Sequence, residues 1–116
     1  MPNTVALMQG IYFFITGIWP LISMKTFLMV TGPKTDLWLV RTVGLLLAVI
    51  GAVLLYAQMT GTIHQPVIAL AMGSALSLTI IEFVYVTKGV ISPIYLGDAA
   101  IEIILLIGWS IALLTV

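Results

Sequence analysis

With 62% of its 116 residues hydrophobic and 7% charged, the chain lies far from soluble globular domains, in which about 25% of residues carry charge. At a mean hydropathy of +1.28 it reads as an integral membrane protein. Four basic and four acidic residues cancel, so nothing points to a nucleic-acid partner, and the absence of cysteine excludes thiolate nucleophiles, disulfide exchange, Fe–S clusters and Cys-based metal sites.

Each membrane span needs roughly 20 mostly apolar residues, so four spans with short turns consume the length, and no soluble catalytic or regulatory domain is expected. Span one is expected over about 5–22. Its leader Met1-Pro2-Asn3-Thr4 has no positive side chain and no convincing cleavage site follows, so the stretch reads as a retained span rather than a secretory signal. Trp19 and Pro20 mark its last turn, an interfacial aromatic before a helix disruptor. The connection Ser23 to Thr35 mixes Lys25 and Lys34 with Phe27, Leu28, Met29 and Val30. That mixture suits either an apolar turn or a short segment lying in the interface or folded back over the bundle mouth.

Span two is expected over about 36–57, with Asp36 at the positive end of the helix dipole, Trp38 at headgroup depth and Gly61 closing it. Span three, over about 66–87, begins at Pro66, a favoured first helical position, and ends at Gly89, a candidate cap. Ser92-Pro93 then reads as an N-cap and first turn for span four, over about 93–115. A connection this short makes spans three and four antiparallel neighbours. The expected fold is therefore all-α, a four-transmembrane-helix antiparallel bundle. Neither an internal repeat nor a low-complexity stretch is visible.

Lys25, Lys34, Arg41 and Lys88 all flank the first and third connections, and no basic residue flanks the other side. By the positive-inside rule the charged side is cytoplasmic and both termini are outside. Gly44, Ala48, Gly51 and Ala52 form one small-residue stripe, and Ala69, Gly73 and Ser77 another, suited to close packing within the bundle or to a homo-oligomer interface. His64, on the uncharged side, reads as an interfacial residue before a helix start. Trp19, Trp38 and Tyr12 read as belt or packing residues. Gln9, Thr16 and Ser23 are able either to line a cavity or to bond their own helix backbone.

Asp98 and Glu102 are four apart and share one face of span four with Tyr95, Leu105 and Trp109. Counting ~1.5 Å per residue from Pro93 places Glu102 roughly 13 Å in, near the midplane. Asp98 is about one turn shallower; Glu82, on a face with Ala75, Thr79 and Tyr85, lies a turn or so inside the same end, and Arg41, above the Gly44 stripe, is at a depth similar to that of Glu82. Ionisable residues inside spans are costly and are default functional candidates. Arg41 is suited to grip one carboxylate in a bidentate fork, and Lys34 or Lys88 to reach another by snorkelling. Glu102, deepest and farthest from a cation, is expected to hold a proton or to ionise only when a cation is bound.

Three uses of Glu102, Asp98, Glu82, Arg41, Tyr95 and Tyr85 compete. The first is binding or transport of a small cationic or amphipathic solute, with proton coupling an option. The second is structural glue in an accessory membrane subunit. In the third, a membrane enzyme, a protonated Glu102 and an ionised partner act as acid and base on a lipid-soluble substrate. Oxygen-only ligands would favour Mg²⁺, Ca²⁺ or Mn²⁺ over Zn²⁺, yet no signature marks a metal site, and no cofactor is implied. Phosphate loops, nucleophile elbows and His-Glu zinc motifs are absent, which removes the kinase and hydrolase classes.

Gly17-Ile18-Trp19-Pro20, Val30-Thr31-Gly32-Pro33-Lys34-Thr35-Asp36 and Trp38-Leu39-Val40-Arg41-Thr42-Val43-Gly44 resemble the front half of a group of uncharacterised bacterial four-helix membrane proteins, over about a third of the chain. The resemblance implies a four-helix fold in the bacterial inner membrane and no activity. In size and span count the chain is also similar to DoxX-like proteins. It is superficially similar to small multidrug-resistance transporters, but those carry an essential Glu in the first span and this first span has no acidic residue.

Overall fold

A computed structural model describes residues 2–114, and among these the chain forms five helices: α1 Pro2–Ile22, α2 Met24–Thr31, α3 Leu37–Thr60, α4 Gln65–Thr87 and α5 Tyr95–Leu114. All but α2 are long and apolar enough to cross a membrane. At ~1.5 Å per residue, helices of 20 to 24 residues reach roughly 30–36 Å. The expected end of span four at residue 115 lies outside the described residues.

Local sequence explains where the helices stop. Gly61, at φ +66°, adopts the left-handed conformation that ends α3, and its N–H bonds Ala57 O. At the end of α4, Gly89 has φ +73°. Its N–H donates to Val86 O at 3.0 Å and the N–H of Val90 donates to Tyr85 O at 2.9 Å, the paired closure of a Schellman motif. Pro66 sits in the first turn of α4, where its missing N–H costs no helix bond. Span four starts later than Ser92-Pro93 suggests, because Pro93 and Ile94 form a turn before the helix begins at Tyr95.

Helix α1 packs chiefly on α3, and α4 chiefly on α5. The first pair meets at backbone distance. A Cβ on Gly17 would stand 2.4 Å from Gly44 O and 2.6 Å from Ala48 N, and one on Gly51 would stand 2.6 Å from Phe14 N and 2.7 Å from Gly10 O. Gly17 thus opposes Gly44, and Gly10 opposes Gly51. Gly44, Ala48 and Gly51 of the span-two stripe are spent inside the bundle and Ala52 is exposed, as are Ala69, Gly73 and Ser77 on α4, where a Cβ on Gly73 would meet nothing within 4 Å.

The two pairs join at the end near the α3–α4 turn. Val5, Ala6, Leu54, Ala71 and Trp109 form a buried cluster there, with Ile50, Ile63, Val67, Ile68 and Met72 packed on it. Fully buried Gln9 ties three helices together at this point: its Nε2 donates to Ala71 O at 2.9 Å, and its Oε1 accepts from Trp109 Nε1 at 2.6 Å. The Gln9 side chain therefore neither lines the polar cavity nor bonds its own helix. A buried amide bonded at both ends avoids the desolvation cost of an unsatisfied one. Most other large apolar side chains point outward, as a lipid-facing surface requires.

Because backbone atoms block any side chain at Gly17, Gly17→Ala is expected to destabilise the fold by about 1–3 kcal/mol, as overpacking does. Gly73→Ala, with open space around it, should be neutral or stabilising by up to about 1 kcal/mol through helix propensity. Reversible unfolding of both variants in one detergent checks the contrast.

Candidate functional site

At the end away from the Gln9 junction the helix pairs enclose a cavity of about 520 Å³. All five helices line it, together with Lys34 from the α2–α3 connection. Tyr12 and Thr16 come from α1, Val40, Val43 and Leu47 from α3, Leu78 and Glu82 from α4, and Tyr95, Asp98 and Glu102 from α5. The spacings explain the alignment. Asp98 and Glu102 are one turn apart on α5, Leu78 and Glu82 one turn apart on α4, and Tyr12 and Thr16 one turn apart on α1.

Three carboxyl groups therefore converge on one largely apolar space. Glu102 is 1% exposed and Glu82 5% exposed, while Asp98 is half-buried. Asp98 Oδ1 accepts a hydrogen bond from the Tyr12 hydroxyl, and Glu82 neighbours Asp98 in the lining. Both oxygens of Glu102 and Oε1 of Glu82 have no hydrogen-bond partner. Among the described residues no Lys or Arg nitrogen pairs with any of the three, and what surrounds Glu82 and Glu102 electrostatically is other carboxylates. Burial without a counter-charge or a donor is costly for an ionised group. No group of His, Cys, Asp and Glu among the described residues has the geometry to hold a metal ion.

Helix α2 covers one side of the cavity. Ser23 starts it, accepting from the Thr26 hydroxyl at 2.8 Å, and Gly32, at φ +97°, ends it. Trp19 packs edge-on against Phe27 with ring centroids 5.3 Å apart, and its Nε1 donates to Thr26 Oγ1 at 2.9 Å. Of the apolar residues of the first connection, Phe27 and Val30 sit in the cavity wall, whereas Met29 is exposed. Lys34 closes the mouth. Its ammonium donates to Thr31 Oγ1 at 2.9 Å and lies 5.2 Å from the Tyr95 ring centroid and 5.4 Å from that of Phe27, within cation–π range.

Of the residues singled out from sequence, Glu102, Asp98, Glu82 and Tyr95 meet at this cavity, and Arg41 and Tyr85 do not line it. Arg41 is exposed, because Val40, Val43, Gly44 and Leu47 carry the cavity-facing stripe of α3 and Arg41 is turned about 100° from Val40. Tyr85 is 38% exposed near the end of α4, with the Lys88 ammonium 5.7 Å from its ring centroid. Thr16 lines the cavity and also donates to Tyr12 O at 2.7 Å. The role of Tyr12 escapes a reading that treats it as a belt aromatic. The available signal is its place in the stripe Gln9, Tyr12, Thr16, a run of polar groups along one face of an otherwise apolar helix.

A carboxyl without partners contributes little to cohesion, so Glu102→Gln is expected to leave stability unchanged or raise it by about 1–2 kcal/mol. Arg41→Gln is expected to stay within about 0.5 kcal/mol, as exposed sites do. Unfolding of both variants in detergent is the check, and a loss of about 3 kcal/mol or more in each would reveal a buried ion pair instead. Compared with known protein families, curated proteins and solved structures, the chain matches none.

Proposed function

We propose that the chain is an antiparallel four-span bundle of the bacterial inner membrane, with both termini outside, that binds or transports a small amphipathic cation through its cytoplasmic-side acidic cavity. The cavity wall carries this reading: three carboxyls in a largely apolar space of about 520 Å³, with, among the described residues, no donor to the oxygens of Glu102 and no cation paired to them. An ammonium group would supply both the missing charge and the missing donors. Its apolar body would lie against the side chains that make up most of the lining, in a volume within the roughly 300–1,000 Å³ of small-molecule sites.

In this reading Asp98 and Glu102 are the central acidic groups and Glu82 shares their role. Tyr12 orients Asp98, and Tyr95 holds the Lys34 ammonium at the mouth, away from the carboxyls. Arg41, away from the lining, acts at most on the surrounding potential. Proton coupling would follow if the carboxyls exchange a proton for the solute. The one-sided basic residues support the orientation, and the resemblance of the first connection to bacterial four-helix membrane proteins supports the inner membrane. The structural-subunit alternative draws less support, since the glycine contact and the Gln9 bridge already hold the helices together.

Calorimetry with purified protein tests the reading, using 4-phenylbutylamine and its neutral counterpart 4-phenylbutanol. The amine should bind saturably. The alcohol, and the amine to Asp98→Asn or Glu102→Gln, should bind at least tenfold more weakly, about 1.4 kcal/mol. Equal affinity for amine and alcohol would defeat the proposal. In liposomes, amine uptake accelerated by a pH gradient would mark transport, and binding without uptake would restrict the function to binding.

A further inference from the structure

The acidic cavity has a wall that is also an outer surface. Helices α3 and α4 follow one another in the chain but touch only sparingly. Their meeting lies near the connecting turn, where Leu54 and Ala71 share a buried cluster with Ile50, Val67 and Ile68 packed on it. At the other end the two helices face each other across the cavity, Val43 and Leu47 from α3 and Leu78 and Glu82 from α4. Leu39 and Val43 line the space and yet are 43% and 49% exposed. Leu39 also borders the groove beside the α2–α3 connection, whereas Val43 lies roughly 9 Å inside α3, so an opening beside it borders hydrocarbon.

Resting on the acidic-cavity reading, we infer that the cavity opens sideways into the bilayer between α3 and α4 and takes a single-chain amphiphile with an ammonium head. The head lies among Glu82, Asp98 and Glu102, and the alkyl tail leaves through the gap past Val43 and Leu78. Charge complementarity fixes the head, because among the described residues Oε1 of Glu82 and both oxygens of Glu102 lack donors and an ammonium group carries three. The wall fixes the tail, because the α3 and α4 residues bordering the gap offer apolar side chains alone beyond Glu82. The volume, about 520 Å³, suits one chain rather than a two-chain phospholipid. The α1–α3 side is closed, since those helices meet at backbone distance, and Phe27 of α2 together with Lys34 of the following connection covers the mouth.

Photolabelling of the wild-type protein in phosphatidylcholine nanodiscs tests this, with dodecylamine carrying a diazirine near its tail end as the probe. Mass-spectrometric mapping should place the adducts on residues 43–47 of α3 and around Leu78 of α4. Unlabelled dodecylamine should reduce them at least fivefold, whereas equimolar dodecanol should not. Competed adducts on Pro33, Thr35, Val90 or Ile91, the residues around the groove beside the α2–α3 connection, would show access from the water side and overturn the lateral opening while sparing the acidic site. Adducts that neither amine nor alcohol displaces, or that both displace equally, would overturn the opening and the acidic-cavity reading together.

Discussion

Everything at the polar end of the bundle follows from the contact between α1 and α3, where Gly10, Gly17, Gly44 and Gly51 bring two helix backbones into touch. In lipid there is no hydrophobic drive between helices, so close approach through small residues is the available source of packing energy. A pair bound this tightly behaves as one unit. The α4–α5 pair joins it where Gln9 reaches Ala71 and Trp109, and the two units are not held together in the same way along the rest of their length. The space left between them is the cavity, and α2 folds across part of it because Phe27 finds Trp19 there.

The carboxyl groups belong to that space rather than to the scaffold. A scaffold charge is expected to sit in a pair, since removing water from an ion without replacing it costs several kcal/mol. Glu102 is almost fully buried without such a pair, and Tyr12 satisfies only one oxygen of Asp98. Lys34, the nearest basic side chain in the lining, is engaged elsewhere: it bonds Thr31 and lies over two rings at the mouth. In the proposed reading, acidic groups left uncompensated beside an engaged Lys34 await a positive charge from outside the chain. The same low dielectric that makes the empty site costly would strengthen its hold on a cation.

Much of this is legible in the sequence because membrane spans impose strong constraints. Four apolar runs of span length, Gly61 and Gly89 as stops and the i, i+4 pair Asp98 and Glu102 are all visible in the order of residues itself. The placement of Glu82 at the same end of the bundle as that pair is also visible there. What sequence cannot give is the rotation of each helix about its axis. Arg41 has the right depth, but its rotation leaves it exposed. Gln9 and Tyr12 lie on one stripe of α1, yet the first bonds α4 and α5 at the closed end and the second bonds Asp98 in the cavity. Lys34 has the reach for a carboxylate, but Thr31 and two rings compete successfully for its ammonium. These outcomes depend on which faces pack, and a hydrophobic pattern that runs nearly all round each helix does not encode that.

The central claim is that Glu82 and Glu102 are uncompensated and face a space that a cation enters. Reaction with dicyclohexylcarbodiimide, an apolar reagent that attacks carboxyl groups in apolar surroundings, tests it most directly when the adducts are located by mass spectrometry. The account predicts modification centred on Glu102 and Glu82, with Asp36 spared in its exposed position, and protection of both by 4-phenylbutylamine but not by 4-phenylbutanol. Unmodified Glu102 and Glu82, or modification that the amine leaves unchanged, would contradict it.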